Sequence, residues 1–427
     1  MKEFYLKPKF FSCIKDYSKP QLVKDLIAGL IVAIIALPLS IALALASGVN
    51  PECGVYTAVF AGFIVALLGG SNVQIAGPTA AFATIVAGIV ATNGMEGLII
   101  ASLMAGIILI IMGALKLGSL IRFIPETITV GFTAGIAVTI LLGQIKDFLG
   151  ISYLDGAKPI EAIEKIEANI HNASTFSWQA LVVGLVSLAI LIIYPKFEKK
   201  CPPSLIAVVV GALLVKFIPA LDSGVNTIGE LYNIPQGFPK FTLGGLDISV
   251  DKIVALIPSA VTIAVLAGVE SLLSCVVADG MTNSKHNPNS ELCAQGFANI
   301  GSVMFGGIPA TGAIARTAAN IKNGGRTPVA GMVHSVVLLL VLLVLMPAAE
   351  LIPMPTIAAI LFVVAYNMSE WRKFLHISKT EKFYDTGIMV LTFVLTVVKD
   401  LVVAIAVGMV LVIIKNIIFK IKEKKSN

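Results

Sequence analysis

Gly306-Gly307-Ile308-Pro309-Ala310-Thr311-Gly312-Ala313-Ile314-Ala315-Arg316-Thr317 decides the fold when it is set beside Gly77-Pro78-Thr79-Ala80-Ala81 in the first half of the chain. Each of these Gly/Pro-rich stretches leads into an apolar segment, Thr79–Ala91 in one case and Ala313–Asn320 in the other. Both segments are too short or too broken to cross ~30 Å of hydrocarbon. Glycine, proline and alanine also serve close packing between spans, so either motif alone is ambiguous. A matched pair in short segments is read as two half-helices.

Composition places these segments in lipid. Of the 427 residues, 57% are hydrophobic and 13% charged, and the mean hydropathy is +0.93. Soluble domains carry about 25% charged residues. Fourteen apolar stretches run from Leu26–Ser47 to Leu401–Ile418, with the broken segments third and tenth among them. Seven stretches per half is an odd number, so the halves insert with opposite orientation and form an inverted repeat about an axis in the membrane plane. The expected architecture is an all-α membrane protein of 14 segments in a 7+7 repeat, with its half-helices meeting head to head.

Charge gives the topology. Lys2, Lys7, Lys9, Lys15, Lys19 and Lys24 precede the first span, and Lys415, Lys420, Lys422, Lys424 and Lys425 close the chain, so both ends are expected to be cytoplasmic. Counting crossings also puts Lys196, Lys199, Lys200, Arg372, Lys373, Lys379 and Lys382 inside. The acidic connections with Asp155, Glu161, Glu164 and Glu167, and with Asp222 and Glu230, fall outside. This predicts a cytoplasmic arm at 1–24, a first repeat over 25–195 whose seventh segment lies near 205–218, the remainder over 205–418 with the second repeat from about 251, and a basic cytoplasmic tail at 419–427. The connections at about 150–176 and 219–250 are read as loops without a domain-sized core. The first span follows about 25 polar and basic residues, unlike a cleavable signal.

Other chemistries find little support. The net charge of +6 is not gathered into a run with interleaved aromatics, so no nucleic-acid partner is expected. Cys13, Cys53, Cys201, Cys275 and Cys293 form no CxxC pair and have no metal-ligand spacing with His171, His286, His334 and His376. No nucleophile, histidine and acid order or nucleotide loop appears, so no catalytic residue, metal or cofactor is assigned.

Two half-helices meeting at the bilayer midplane direct unpaired amides and the positive ends of two dipoles into one cavity, which makes an anion site without a metal. Thr79, Ala80 and Ala81 are expected to form one wall and Gly312, Ala313 and Ile314 the other, with the Thr79 hydroxyl as an added donor. Arg316 costs at least ~2.5 kcal/mol at membrane depth unless it is paired or lines water. It is read as facing the cavity, the alternative being a side chain that snorkels to the cytoplasmic surface near Lys322. Glu270 is the one carboxylate well inside Ile253–Val277. It is a candidate for proton coupling or for closing the gate against Arg316, the alternative being a fixed structural ion pair; Ser274 is grouped with it as a coupling or gating residue. Asp25, Asp279, Asp385 and Asp400 stand at span ends, where capping and interface anchoring account for them.

The chain resembles the membrane domain of the sulfate permease family of anion transporters and exchangers over nearly its whole length. The residues that carry the resemblance are Asp25-Leu26-Ile27-Ala28-Gly29 leading to Leu37-Pro38, Gly77-Pro78-Thr79-Ala80-Ala81, Glu270-Ser271-Leu272-Leu273-Ser274 with Ala278-Asp279, the stretch from Gly306 to Thr317, and Thr396-Val397-Val398-Lys399-Asp400-Leu401. The resemblance implies a core domain moving against a gate domain of roughly segments five to seven and twelve to fourteen, with the anion between segments three and ten and a homodimer formed through the gate. Family members usually carry a STAS domain after the last span; none is expected behind the tail ending at Asn427. Sodium-dependent bicarbonate members tend to have Asp where Glu270 stands and Thr where Ile314 stands. Ile314 offers no oxygen to a hard cation, which favours proton coupling or plain exchange over sodium. The partners expected are thus membrane lipid and a small inorganic anion, sulfate ahead of bicarbonate. A dicarboxylate or nucleobase carrier of the same fold and an anion channel stand as alternatives.

Overall fold

The computed structural model describes the chain except residues 1–5, 15–16, 120–124, 155–158, 160, 199–200, 236, 245, 247, 400 and 427, and without the side chains of 222, 401–402 and 416–426. Lys2, Lys15, Asp155, Lys199, Lys200 and Asp400 therefore lie outside the described residues, as do the side chains of Asp222, Lys420, Lys422, Lys424 and Lys425.

Helices dominate, as they must where lipid offers no partner to a backbone amide. The first half comprises α1 (Lys9–Cys13), α2 (Lys19–Ala46), α3 (Pro51–Leu68), the short strand β1 (Ala76–Gly77), α4 (Ala80–Ala114), α5 (Glu126–Leu149), α6 (Ala162–His171), α7 (Trp178–Phe197) and α8 (Pro203–Phe217). After the short turns α9 (Pro219–Asp222) and α10 (Ile228–Leu231) come α11 (Val250–Thr282), α12 (Pro288–Met304), β2 (Thr311–Gly312), α13 (Ile314–Lys322) and α14 (Pro328–Ala349). The chain closes with α15 (Met354–Met368), α16 (Trp371–Thr380), α17 (Phe383–Val398) and α18 (Leu401–Ser426). Among the described residues seven helices, α2, α3, α4, α5, α7, α11 and α14, are long and apolar enough to cross a membrane unaided.

The third and fourth predicted stretches are joined in α4, but Gly94 breaks the helix with φ 66° and ψ −175°. That left-handed φ is open to glycine and costly for residues with a Cβ. The first part, 80–93, spans about 21 Å at 1.5 Å per residue, and the nine residues of α13 span about 14 Å. Both are short of the bilayer, as a half-helix must be.

Packing repeats with the sequence. α2 lies on α14, where Gly29 faces the Ala330 carbonyl; the second part of α4 lies on α11, where Gly97 faces Leu256. α3 packs on α14 and α4 on α12, and across the pseudo-axis α3 packs on α12. A second group is built the same way, with α5 on α17, α15 on α7 and α5 on α15. Its contacts include Gly131 against the Met389 carbonyl, the Phe148 and Phe362 rings at 4.8 Å, and the hydroxyls of Ser187 and Thr356 at 2.8 Å. These groups are the core (α2–α4, α11–α14) and the gate (α5, α7, α8, α15, α17, α18) of the expected architecture.

Asp25 does more than anchor a span end. It lies fully buried inside α2 and accepts bonds from the Arg326 amide (2.9 Å), the Thr327 hydroxyl (2.7 Å), Gln21 and Tyr17. It thereby reinforces the start of α14, whose own N-cap is Thr327. Burial, then the hydrogen bond to Asp25, pushes the Tyr17 phenol up to about 12. Asp279 accepts from Ser284 and His286 at the end of α11, and Asp385 pairs with Lys415 across α17 and α18.

Candidate functional site

The two Gly/Pro-rich stretches meet. β1 pairs with β2 antiparallel, Ala76 opposite Gly312 and Gly77 opposite Thr311. Beyond the strands the Ala313 amide donates to the Ile75 carbonyl (2.8 Å) and the Ile75 amide to the Thr317 hydroxyl (3.0 Å).

A non-helical backbone at membrane depth must find its partners among side chains. Asn299 bonds both the amide (2.9 Å) and the carbonyl (3.0 Å) of Ala310, and the Ile308 amide donates to Thr57 (2.7 Å). The Gly312 amide donates to the Ser271 hydroxyl (2.9 Å), which also lies 2.8 Å from that of Thr311. Gln74 spans the gap to α11, donating to the Ser271 carbonyl (3.1 Å) and accepting from Ser274 (2.9 Å). The fit requires glycine at 312, since a Cβ there would collide with the Gln74 amide.

Because the strands are antiparallel, α4 and α13 begin at one place and run apart, head to head as expected. Their N-caps, Thr79 and Ala313, make no side-chain cap bond, and amides of a first helical turn have no intrahelical acceptor. A cavity of about 340 Å³ opens against these two ends. Thr79, Ala80, Ala81, Gly312, Ala313, Ile314, Arg316 and Glu270 all line it. Ser274 does not; it lies behind the wall with Gln74 and, at 3.5 Å, Thr317. The donors are fewer than foreseen, because the Gly312 and Ala313 amides are already bonded within the wall.

Arg316 is 2% exposed, which excludes snorkelling to the surface. Its Nη2 donates to the Pro78 carbonyl at 2.6 Å, while Nε and Nη1 have no partner among the described residues. Gly77 makes room for it, since a Cβ there would sit 2.5 Å from Nη1. Glu270 accepts from the Thr79 hydroxyl at 3.0 Å. No ion pair between Arg316 and Glu270 is formed among the described residues, and the Thr79 hydroxyl, foreseen as a donor to the ligand, is turned to Glu270. The arrangement can hold a small anion by dipole ends, amides and one guanidinium. No cluster of three metal-binding side chains occurs among the described residues.

The opposite wall was missed. Leu39 and Leu43 of α2, Thr133 of α5, and Val364, Asn367 and Met368 of α15 face the half-helices, with Glu370 beside the mouth. In sequence these belong to ordinary apolar spans. Two faint signals exist: Pro38 lies inside α2 next to Leu39, and Asn367-Met368-Ser369-Glu370 ends an apolar run with polar groups.

Residues 22–392 match the sulfate permease family. The putative sulfate transporter YvdB of Bacillus subtilis is 44% identical over 409 residues, covering 94% of this chain and 75% of that protein. The bicarbonate transporter BicA of a Picosynechococcus strain is 34% identical, with 90% and 68% covered. Among solved structures, the transmembrane domain of a cyanobacterial BicA superimposes with a TM-score of 0.78 at 30% identity, covering 90% of this chain and 97% of that one. SLC26A9 superimposes with a TM-score of 0.87 at 20% identity over 96% of this chain and 68% of its own, a likeness of fold alone.

Proposed function

Since the chain belongs to the sulfate permease family, we propose that it is a secondary carrier of small inorganic anions, sulfate first and bicarbonate next, which binds its substrate between the N-terminal ends of α4 and α13. The observation that carries this reading is the buried, carboxylate-free guanidinium of Arg316 at a cavity walled by two uncapped helix N-termini. Such a site attracts an anion through dipole ends and a fixed charge. The names of the relatives, sulfate and bicarbonate transporters, supply the substrate class.

Thr79, Ala80, Ala81, Gly312, Ala313, Ile314 and Arg316 are assigned to the substrate, Glu270 to coupling, and Ser274 to holding the crossover that Glu270's helix supports. Glu270 shares the cavity with the anion and is bonded to a residue of the half-helix N-terminus, so its charge and the anion's occupancy are linked. Proton-coupled symport or anion exchange follows by alternating access of core against gate; sodium is disfavoured by Ile314. The mouth at Asn367 to Glu370 adjoins Arg372 and Lys373, which the positive-inside rule puts in the cytoplasm. That reading makes this conformation inward-open, with both termini cytoplasmic, in the plasma membrane, and a homodimer formed through the gate. The domain limits 1–24, 25–195, 205–418 and 419–427 belong to the same proposal.

The test is uptake of labelled sulfate and, in parallel, of labelled bicarbonate into proteoliposomes with and without an inward proton gradient, for the parent and Glu270→Gln. Gradient-driven uptake that the variant loses is the expected result. Uptake that keeps its gradient dependence in the variant removes Glu270 from coupling, and absence of both sulfate and bicarbonate uptake overturns the substrate assignment.

A further inference from the structure

α16 joins two helices of the gate, α15 and α17, and its N-cap Glu370 lines the cavity. Its inner side is fixed. Ile377 is buried with Val130 of α5 and Met389 of α17, the Phe374 ring meets Phe393 edge-on at 5.7 Å, and Lys373 pairs with Glu126 at 2.6 Å.

The outer side is exposed. Trp371 and Leu375, one helical turn apart on a shared face, are 42% and 45% exposed. Phe383 and Tyr384 follow at 87% and 62%. Basic side chains border this edge: the Arg372 guanidinium lies 5.4 Å from the Trp371 ring, and Lys379 is exposed two turns on. Between 370 and 382 stand Arg372, Lys373, Lys379 and Lys382 against Glu370 and Glu381, a net charge of +2.

An apolar edge led by tryptophan and flanked by basic groups, on a helix lying between two spans, matches the headgroup boundary of a bilayer with negative surface charge. We infer that α16 is a docking surface for anionic phospholipid headgroups, with Trp371 and Leu375 set into the boundary and Arg372 and Lys379 on the phosphates. The surface is tied to the transport path at both ends. Glu370, the N-cap of α16, stands two residues beyond Met368, which lines the cavity with Asn367, and Val130 lies on the same helix as Thr133. Lipid held on α16 therefore bears on the two gate elements that face the half-helices.

The chain has two tryptophans, Trp178 and Trp371, so Trp178→Phe isolates the fluorescence of Trp371. The parent in that background is reconstituted with dibrominated phosphatidylcholine or dibrominated phosphatidylglycerol, and quenching gives the relative affinity. One basic residue near a negative surface strengthens association about fivefold, so a preference for phosphatidylglycerol of about fivefold or more is expected. It falls towards one in the double variant Arg372→Gln with Lys379→Gln and persists in Arg372→Lys with Lys379→Arg. Equal quenching by the two lipids in the parent, or a preference that survives the glutamine variant, overturns the inference. This readout needs no transport, so its failure is separable from failure of the carrier reading.

Discussion

The two crossovers follow one plan and differ in how their polar groups are spent. Around β2, Ile308, Ala310 and Gly312 are bonded to Thr57, Ser302, Asn299 and Ser271, all in the interior. After β1 the contacts instead join residues that line the cavity, with Pro78 accepting from Arg316 and Thr79 donating to Glu270. The second crossover is a scaffold. The first carries the groups that line the cavity of the proposed anion site.

Paired glycine substitutions test that difference most severely. At Gly312 a methyl group meets the Gln74 amide, which Ser271 and Ser274 hold in place, so Gly312→Ala is expected to cost about 3 kcal/mol of stability, the upper range for overpacking. At Gly77 the methyl group meets the tip of Arg316, and Gly77→Ala is expected to cost about 1 kcal/mol while reducing anion uptake more than tenfold. Thermal unfolding in detergent and vesicle uptake decide; equal stability losses would erase the distinction.

Asn299→Ala sharpens the scaffold side. It leaves the buried Ala310 amide and carbonyl unpaired, at about 2 kcal/mol. The expected signature is a lowered unfolding temperature with an unchanged KM for the anion in the protein that remains folded.

Lys373→Gln sets the floor, because its contacts lie outside both crossovers. Burial would lower the Lys373 pKa, but the hydrogen bond to Glu126 and the charges of Glu370 and Glu126 outweigh it and raise it. A raised lysine pKa stabilises fully below the unfolded value and is lost only as pH climbs through the folded one. The side chain is 45% exposed, so screening limits the effect to at most ~0.5 kcal/mol. Unfolding followed from pH 6 to about 11 should show a small, constant difference from the parent that shrinks above about pH 10.

The half-helices were legible because glycine and proline act locally: the breaks at 77–78 and 306–312 announce themselves, and odd counts on either side dictate the inversion. Arg316 and Glu270 stood out for the same reason that makes charge in lipid costly. What supports them did not stand out. Gln74, Ser271 and Asn299 are uncharged and stand close to other polar residues in the sequence, so nothing there sets them apart, and only the pairing of β1 with β2 shows what each is for. The cavity's far wall is ordinary leucine, valine and threonine, whose role comes from facing the half-helices. The use of the Thr79 hydroxyl was misjudged because Glu270, 191 positions away, takes it.

Asp25 also bears on how the molecule is made. Its partners at Arg326 and Thr327 are about 300 positions downstream, which at roughly 5–20 residues per second takes about 15–60 s to synthesise. Throughout that interval the opening span must be held in the membrane with its carboxylate served only by Tyr17 and Gln21, and β1 must likewise wait for β2. The first repeat cannot close on itself and be left behind. The later half is the key that locks the earlier one, so a nascent chain released before residue 311 leaves the inserted first half with Asp25 short of its two later partners and with an unpaired edge on β1.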